Sequence, residues 1–199
     1  MSLQKLKLKR IHGLLIHNVD DLFVNNGSKL INALEGLKSQ GLVTSIGVSV
    51  YTSGQIRRAL DIFRPDIIQL PVSLLDQRLI QDGTISYLAN RGIEIHARSI
   101  FLQGLLLMDI NEIPLYFKPW LPLLSEWHQF CKDRLISPLQ GAVSFANSVK
   151  DISHSIIGVE DWRQLNEILT TSESLSQFEF DRFKCNDEGL LNPSKWIIK

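Results

Sequence analysis

Gly41-Leu42-Val43-Thr44-Ser45-Ile46-Gly47-Val48-Ser49 decides the fold of this chain. Gly41 stops a helix, because a left-handed turn costs a glycine little. Thr44 to Val48 reads as a short buried strand, and Ser49 is a polar group at its tip. Helix stop, strand and polar tip within so few residues is the punctuation of a βα repeat.

The same unit recurs on both sides. Before Gly41, Leu30, Ala33, Leu34 and Leu37 share one helical face, preceded by a strand from about Gly13 to Ile16. After Ser49, Thr52-Ser53 caps a helix with Ile56, Ala59, Leu60 and Phe63 on one stripe. Arg64-Pro65 ends it, since proline cannot continue a helix, and a third strand runs from Ile67 to Leu70. A third helix carries Ile85, Leu88 and Ala89 and stops at Gly92, before a fourth strand from Ile93 to Ala97. Ser99 to Pro119 is too long for an ordinary connection and reads as a functional loop. A helix with Trp120, Leu124, Trp127 and Cys131 on one side follows. Ser137-Pro138-Leu139-Gln140 is a capping box with proline in the first turn, opening a helix whose stripe is Leu139, Ala142, Val143 and Ala146. The fifth strand lies at about Ser155 to Ile157, and Asp161 caps a last helix with Trp162, Leu165 and Leu169. Residues 1–199 read as a single domain, with an irregular surface tail over 186–199.

Nearly continuous apolar strands alternating with helices imply α/β architecture, a parallel sheet jacketed by helices. An open doubly wound sheet would carry a glycine-rich phosphate turn after its first strand. The first loop here is Ile16-His17-Asn18-Val19-Asp20-Asp21 instead. His17, Ser49, Gln69, Ser99 and Gly158 all fall at or just past strand ends, as in a barrel whose C-terminal rim carries the chemistry.

The totals exclude several function classes. Of 199 residues 44% are hydrophobic, enough for a packed core. Lys plus Arg and Asp plus Glu are both 21, giving a net charge of zero, so neither nucleic acid nor a membrane surface is an expected partner. Cys131 and Cys185 make no disulfide framework, which suits a reducing cytoplasm. No cysteine pair has zinc spacing, and His12, His96, His128 and His154 read as packing or surface residues, so no metal is expected. Met1 to Arg10 is a basic, leucine-spaced helical stretch that begins without a cap, as if cut in mid-helix.

Leu14-Leu15-Ile16-His17 resembles the aldo-keto reductase strand that delivers an active-site histidine. Gly41 to Ser49 resembles that family's "GKVRAIGVS", Gln69 to Asp76 its "QxxYSLLD", and Ser99 to Leu106 its "SPLAQGLL". Ser137 to Ala142 resembles "SPAQLAL", and Ile156-Ile157-Gly158 followed by Gln164-Leu165 resembles its cofactor-closing end. Six motifs in order, from about Ser2 to Leu169, identify the chain as similar to the C-terminal five units of a (β/α)8 TIM-type barrel, strands 4 to 8.

The resemblance implies an NAD(P)H-dependent oxidoreductase that reduces the carbonyl of a small aldehyde or ketone. His17 would hydrogen-bond the carbonyl oxygen. Ser49 and Gln69 would hold the nicotinamide carboxamide. Val50 stands where the family usually has asparagine. Arg98 would stack on the nicotinamide or meet a phosphate. Ser99 to Leu106, with Leu102 and Gly104, would wrap the pyrophosphate. Gly158, Val159, Gln164 and Ile168 fall where NADPH-preferring members place Lys, Ser, Arg and Asn, so NADP and NAD both stay open. The family's Asp, proton-donating Tyr and Lys have no counterpart, which makes this chain inactive by itself on that reading. A non-catalytic remnant or cofactor-binding module is the alternative. Open barrel edges would favour self-association. An isomerase or aldolase barrel lacks its Schiff-base lysine at any strand end.

Overall fold

The computed structural model describes residues 2–24, 27–171 and 180–197. Helix α1 (Ser2–Leu6) is a short turn that stops well before Arg10 and precedes strand β1 (Ile11–Ile16). Then come α2 (Gly27–Ser39), β2 (Val43–Ser49), α3 (Ser53–Ile62) and β3 (Ile67–Pro71). Two short helices, α4 (Arg78–Gln81) and α5 (Thr84–Ala89), lead to β4 (Glu94–Arg98). The rest is α6 (Leu121–Asp133), α7 (Pro138–Ser148), β5 (His154–Ser155), α8 (Trp162–Thr171) and α9 (Glu188–Leu191). The strands form one five-stranded sheet in the order β1-β2-β3-β4-β5, with β1, β2 and β3 paired in parallel. Parallel neighbours in sequence order, each joined through a helix, are the βα architecture expected. Among the described residues no helix is long and apolar enough to cross a membrane.

By compactness the chain divides into two units. One is Met1–Leu70 with Gly83–His96, the other Pro71–Asp82 with Ala97–Lys199.

In the first unit the strands bury Val43, Ile46, Val48, Ile67 and Ile68. The helices cover them with Ile31 and Leu34 of α2, Ile56 and Ala59 of α3, and Ile85 and Leu88 of α5. The α2 stripe is turned slightly from the expected one: Ile31 is buried and Ala33 is exposed. Asp66 ties three elements together. Its carboxylate accepts from Lys38 Nζ of α2 at 2.5 Å and from the Ile46 amide of β2 at 2.9 Å, just ahead of β3. Gly41 and Gly92 both have positive φ, 71° and 70°, as their helix-stop role requires.

In the second unit Trp127 of α6 is fully buried. Its ring lies 5.9 Å from Phe130 and 5.5 Å from Phe183 between centroids, and its Nε1 donates to the Leu106 carbonyl at 3.0 Å. The capping box at Ser137 and Gln140 forms as expected, and Leu139, Ala142, Val143 and Ala146 are buried. Burial in this apolar seam pushes the Cys131 thiol up to about 12, which leaves it inert as a nucleophile.

Two expectations change. Over 186–199, α9 and a 3-10 turn at Pro193–Lys195 replace an irregular tail, residues 198 and 199 lying outside the described residues. Leu190 and Leu191 are buried, and Trp196 meets Phe117 edge-on at 4.8 Å. Arg78 anchors this segment electrostatically, forked onto Asp76 at 2.8 and 2.9 Å with Glu188 at 3.8 Å. Helix α8 forms as expected behind an Asp161 cap, but it has no buried residue, and its Trp162 is 72% exposed.

His128 supplies a pH-dependent weakness. Its Nε2 is buried without a hydrogen-bond partner among the described residues, and desolvation lowers its pKa although Asp109 pulls the other way. The native state therefore binds the proton less readily than the unfolded chain, whose histidine titrates near ~6.5. Above that pH the effect is absent; as pH falls below it, protonation of the unfolded chain drains stability. His128→Leu is expected to raise the urea midpoint more at pH 5.5 than at pH 8. An equal shift at both pH values contradicts the assignment.

Candidate functional site

Three sequence-predicted residues stand at neighbouring strand tips in the first unit. The β1–β2 register pairs Ile16 with Val48, so His17, the next residue after β1, comes level with Ser49. The β2–β3 register pairs Ser49 directly with Gln69. His17, Ser49 and Gln69 thus form one polar row across three parallel strands. Alternation along β2 and β3 explains the pairing: Ser49 and Gln69 share a face, and Ser49 Oγ lies 3.3 Å from Gln69 Oε1. Ser49 is buried, Gln69 half-buried and His17 exposed. The Val50 amide donates to the Gln69 backbone carbonyl at 2.9 Å, which holds the row together. Tyr51, next in sequence, is 39% exposed.

What keeps the row tight is Gly47. A Cβ there would sit 2.0 Å from the Ile67 carbonyl oxygen and 2.8 Å from its carbon, so only glycine lets β2 and β3 approach this closely.

The remaining predicted residues belong to the second unit. Arg98 ends β4, and its Nη1 lies 3.4 Å from Ser99 Oγ. The chain then winds left-handed: φ is 62° at Ser99, 47° at Leu102, 54° at Gln103 and 85° at Gly104. Left-handed backbone at side-chain-bearing residues costs roughly 1–2 kcal/mol each. Leu102, Leu105 and Leu106 offset this by being fully buried. Strain of this kind collects where a loop must present its backbone in one particular shape.

The loop's hydrogen bonds modify one expectation. The amides of Leu102, Gly104, Leu105, Leu106 and Leu107 already donate to carbonyls within the loop. A diphosphate meeting this loop would need other donors, and the Arg98 guanidinium and Ser99 hydroxyl are the paired candidates.

Gly158 and Gln164 lie on the exposed stretch from β5 into α8. Gln164 Oε1 accepts from the Glu160 amide at 2.9 Å, and its own amide donates to Asp161 Oδ1 at 2.9 Å. Its first duty is therefore to cap α8, leaving only its side-chain NH2 for a ligand. Gly158, Val159, Gln164 and Ile168 present no cation, so these positions do not fit an adenosine 2′-phosphate, whereas the Ser49–Gln69 and Arg98–Ser99 pairs fit a carboxamide and an anion. A surface recess of about 380 Å³ lined by Glu126, Gln129, Phe130, Asp133, Arg134 and Arg182 shares no lining residue with any of these groups.

The structure also brings together residues that the sequence reading set aside. His12, Glu94 and His96 converge, with His12 Nε2 3.0 Å from Glu94 Oε2 and His96 Nε2 2.7 Å from Glu94 Oε1. Burial works to raise the pKa of Glu94, but hydrogen bonds from His96 and His12 outweigh it and lower the value. The signal was half visible: a glutamate and histidine two apart on a strand must share a face. The approach of His12, 82 residues away from Glu94, was not.

The profile described as the aldo/keto reductase family matches residues 1–187. No curated protein sequence matches the chain significantly. Among solved structures, aldo-keto reductase AKR11C1 from Bacillus halodurans in its holo form superposes with a TM-score of 0.73 at 15% identity, over 98% of this chain and 67% of that one. The glycerol dehydrogenase AKR11B4 from Gluconobacter oxydans gives 0.66 at 18% identity, over 92% and 61%. A Pseudomonas aeruginosa protein described as an aldo-keto reductase gives 0.57 at 19% identity, over 86% of this chain but only 53% of its own length. At such identities the structural likeness speaks for the fold, and this chain spans roughly half to two thirds of the relatives it matches. The parallel βα sheet and the match over residues 1–187 lead to one conclusion: the chain belongs to the aldo/keto reductase family.

Proposed function

We propose that this chain is the dinucleotide-binding part of an NAD(P)H-dependent carbonyl reductase. The observation that carries the reading is the row His17, Ser49, Gln69, with Ser49 Oγ 3.3 Å from Gln69 Oε1 at the tips of paired strands. A carboxamide needs a donor and an acceptor side by side, and a serine hydroxyl beside a glutamine amide provides both. A bound nicotinamide would supply the hydride. The chain's own residues would orient it and polarise the carbonyl. Ser49 and Gln69 would fix which ring face is presented. His17, exposed at the end of the row, would donate a hydrogen bond to the carbonyl oxygen and so draw charge toward it. In the second unit, Arg98 and Ser99 pair a guanidinium with a hydroxyl, a combination suited to a phosphate charge.

The 199 residues resemble the family units that carry one of its four catalytic groups. A proton donor of the tyrosine type is not among the matching positions, so these residues alone are expected to bind without turnover. This is also what a non-catalytic cofactor-binding module would do.

Titrating NADH and NADPH into the purified chain, read by quenching of tryptophan emission, tests the reading. Saturable binding is expected, with little preference for NADPH because Gly158, Val159, Gln164 and Ile168 offer no cation. Arg98→Ala is expected to weaken it about 10- to 100-fold, the size of one hydrogen bond to a charged group. Dinucleotide binding that is absent, or indifferent to Arg98→Ala and Gln69→Ala alike, defeats the proposal. Aldehyde-dependent oxidation of NADPH at enzyme-like rates would refute the expected lack of turnover while leaving the binding site intact.

A further inference from the structure

His12 is the second residue of β1, and Glu94 and His96 are the first and third of β4. They sit toward the strands' starts, away from the tips that carry His17 and Arg98. β2 and β3 lie between the two strands in the sheet, so no backbone ladder joins β1 to β4. The three side chains nevertheless meet: one ligating atom from each lies within 4.8 Å of the others.

The spacing is close to that of ligands around one ion. A zinc-type ion binds imidazole nitrogen and carboxylate oxygen at roughly 2.0–2.2 Å, which in tetrahedral arrangement sets neighbouring ligand atoms about 3.2–3.6 Å apart. With Glu94 Oε1 as the shared ligand atom, His12 Nε2 lies 3.2 Å away, at the lower end of that range, and His96 Nε2 lies 2.7 Å away, short of it, so the trio must relax outward to admit the ion. A hydrogen-bonded trio accounts for the same distances. Chemistry and accessibility favour more. Two imidazoles with a carboxylate form a donor set suited to borderline divalent ions, whereas calcium and magnesium prefer oxygen alone. The side chains are 58%, 24% and 11% exposed for His12, Glu94 and His96. Two ligands are therefore held by their surroundings, while the third lies open to solvent, through which an ion can enter and water can complete its shell.

We propose that His12, Glu94 and His96 bind one divalent ion of the zinc class, clamping the outer strand β1 to β4. Such a clamp closes a long segment of chain and restrains a strand that, among the described residues, pairs with β2 alone. Its place near the N-terminal ends of the strands fits a stabilising role, since chemistry in parallel βα barrels belongs to the other end. The proposal does not depend on the dinucleotide reading.

The test is titration of the chelator-treated 199-residue chain with Zn²⁺ by calorimetry and with Co²⁺ by visible absorption. One equivalent of Zn²⁺ is expected to bind, with intense tetrahedral cobalt bands and a rise in melting temperature. His12→Ala removes an exposed side chain, so the variant should keep its circular dichroism while losing about 100-fold or more in zinc affinity. Glu94→Gln should lose the zinc-dependent rise in melting temperature. Binding no tighter than about millimolar, octahedral-type weak cobalt bands, or equal zinc affinity in His12→Ala and the parent chain overturns the site.

Discussion

Gly47→Ala is expected to cost about 3 kcal/mol, the upper part of the range for overpacking, and to abolish dinucleotide binding with it. The added methyl would lie 2.0 Å from the Ile67 carbonyl oxygen. That atom is backbone, so no rotamer change relieves the overlap, and β2 must draw away from β3. Moving β2 separates Ser49 from Gln69, because their 3.3 Å contact exists only through the Gly47–Ile67 and Ser49–Gln69 register. Chemical denaturation reads the first effect and cofactor titration the second. Gly36→Ala is the control: a Cβ at Gly36 meets nothing within 4 Å, and a helical glycine replaced by alanine should be neutral or stabilising. Equal stability for Gly47→Ala and the parent chain would show that the strands are not held at this separation.

Trp127→Ala is expected to cost about 3–5 kcal/mol. The ring is fully buried, stacks near Phe130, meets Phe183 edge-on and closes on α7, where a Cβ at Gly141 would lie 2.4 Å from Trp127 Cη2. Removing it leaves a cavity bounded by α6 and α7 and also takes away the Nε1 donor from the Leu106 carbonyl. That second loss reaches the loop after β4, whose left-handed residues are kept in place by the burial of Leu102, Leu105 and Leu106. Trp127→Phe separates the two effects. It restores most of the volume but not the donor, so it should recover most of the stability while the loop remains less protected from amide exchange. Full protection in Trp127→Phe would mean that packing alone positions the loop.

The geometry of the candidate site is largely legible because it follows from periods of two and of 3.6. Helix stops at Gly41 and Gly92, the Thr52 cap and the Ser137–Gln140 box mark where each strand begins and ends. Once the ends are known, Ser49 and Gln69 must stand at neighbouring tips. The loop was legible only as a long segment: nothing local announces that Leu102 and Gln103 take left-handed backbone, since that conformation is bought by burial of leucines elsewhere in the same loop. Gln164 reads as a ligand residue in the sequence, whereas its nearest duty is capping α8, a competition that sequence alone does not rank.

The order of strands and helices, the parallel pairing and the polar row at the tips are properties of this sequence by itself. They rest on local preferences, capping and alternation, which act within a few residues. Tertiary structure decided three other things: that His12 meets Glu94 and His96 across two intervening strands, that the segment around Leu190 and Trp196 packs instead of trailing, and that the apolar stripe of α8 stays outside the core. Each depends on residues distant in sequence sharing space, which only the closed packing of the chain determines.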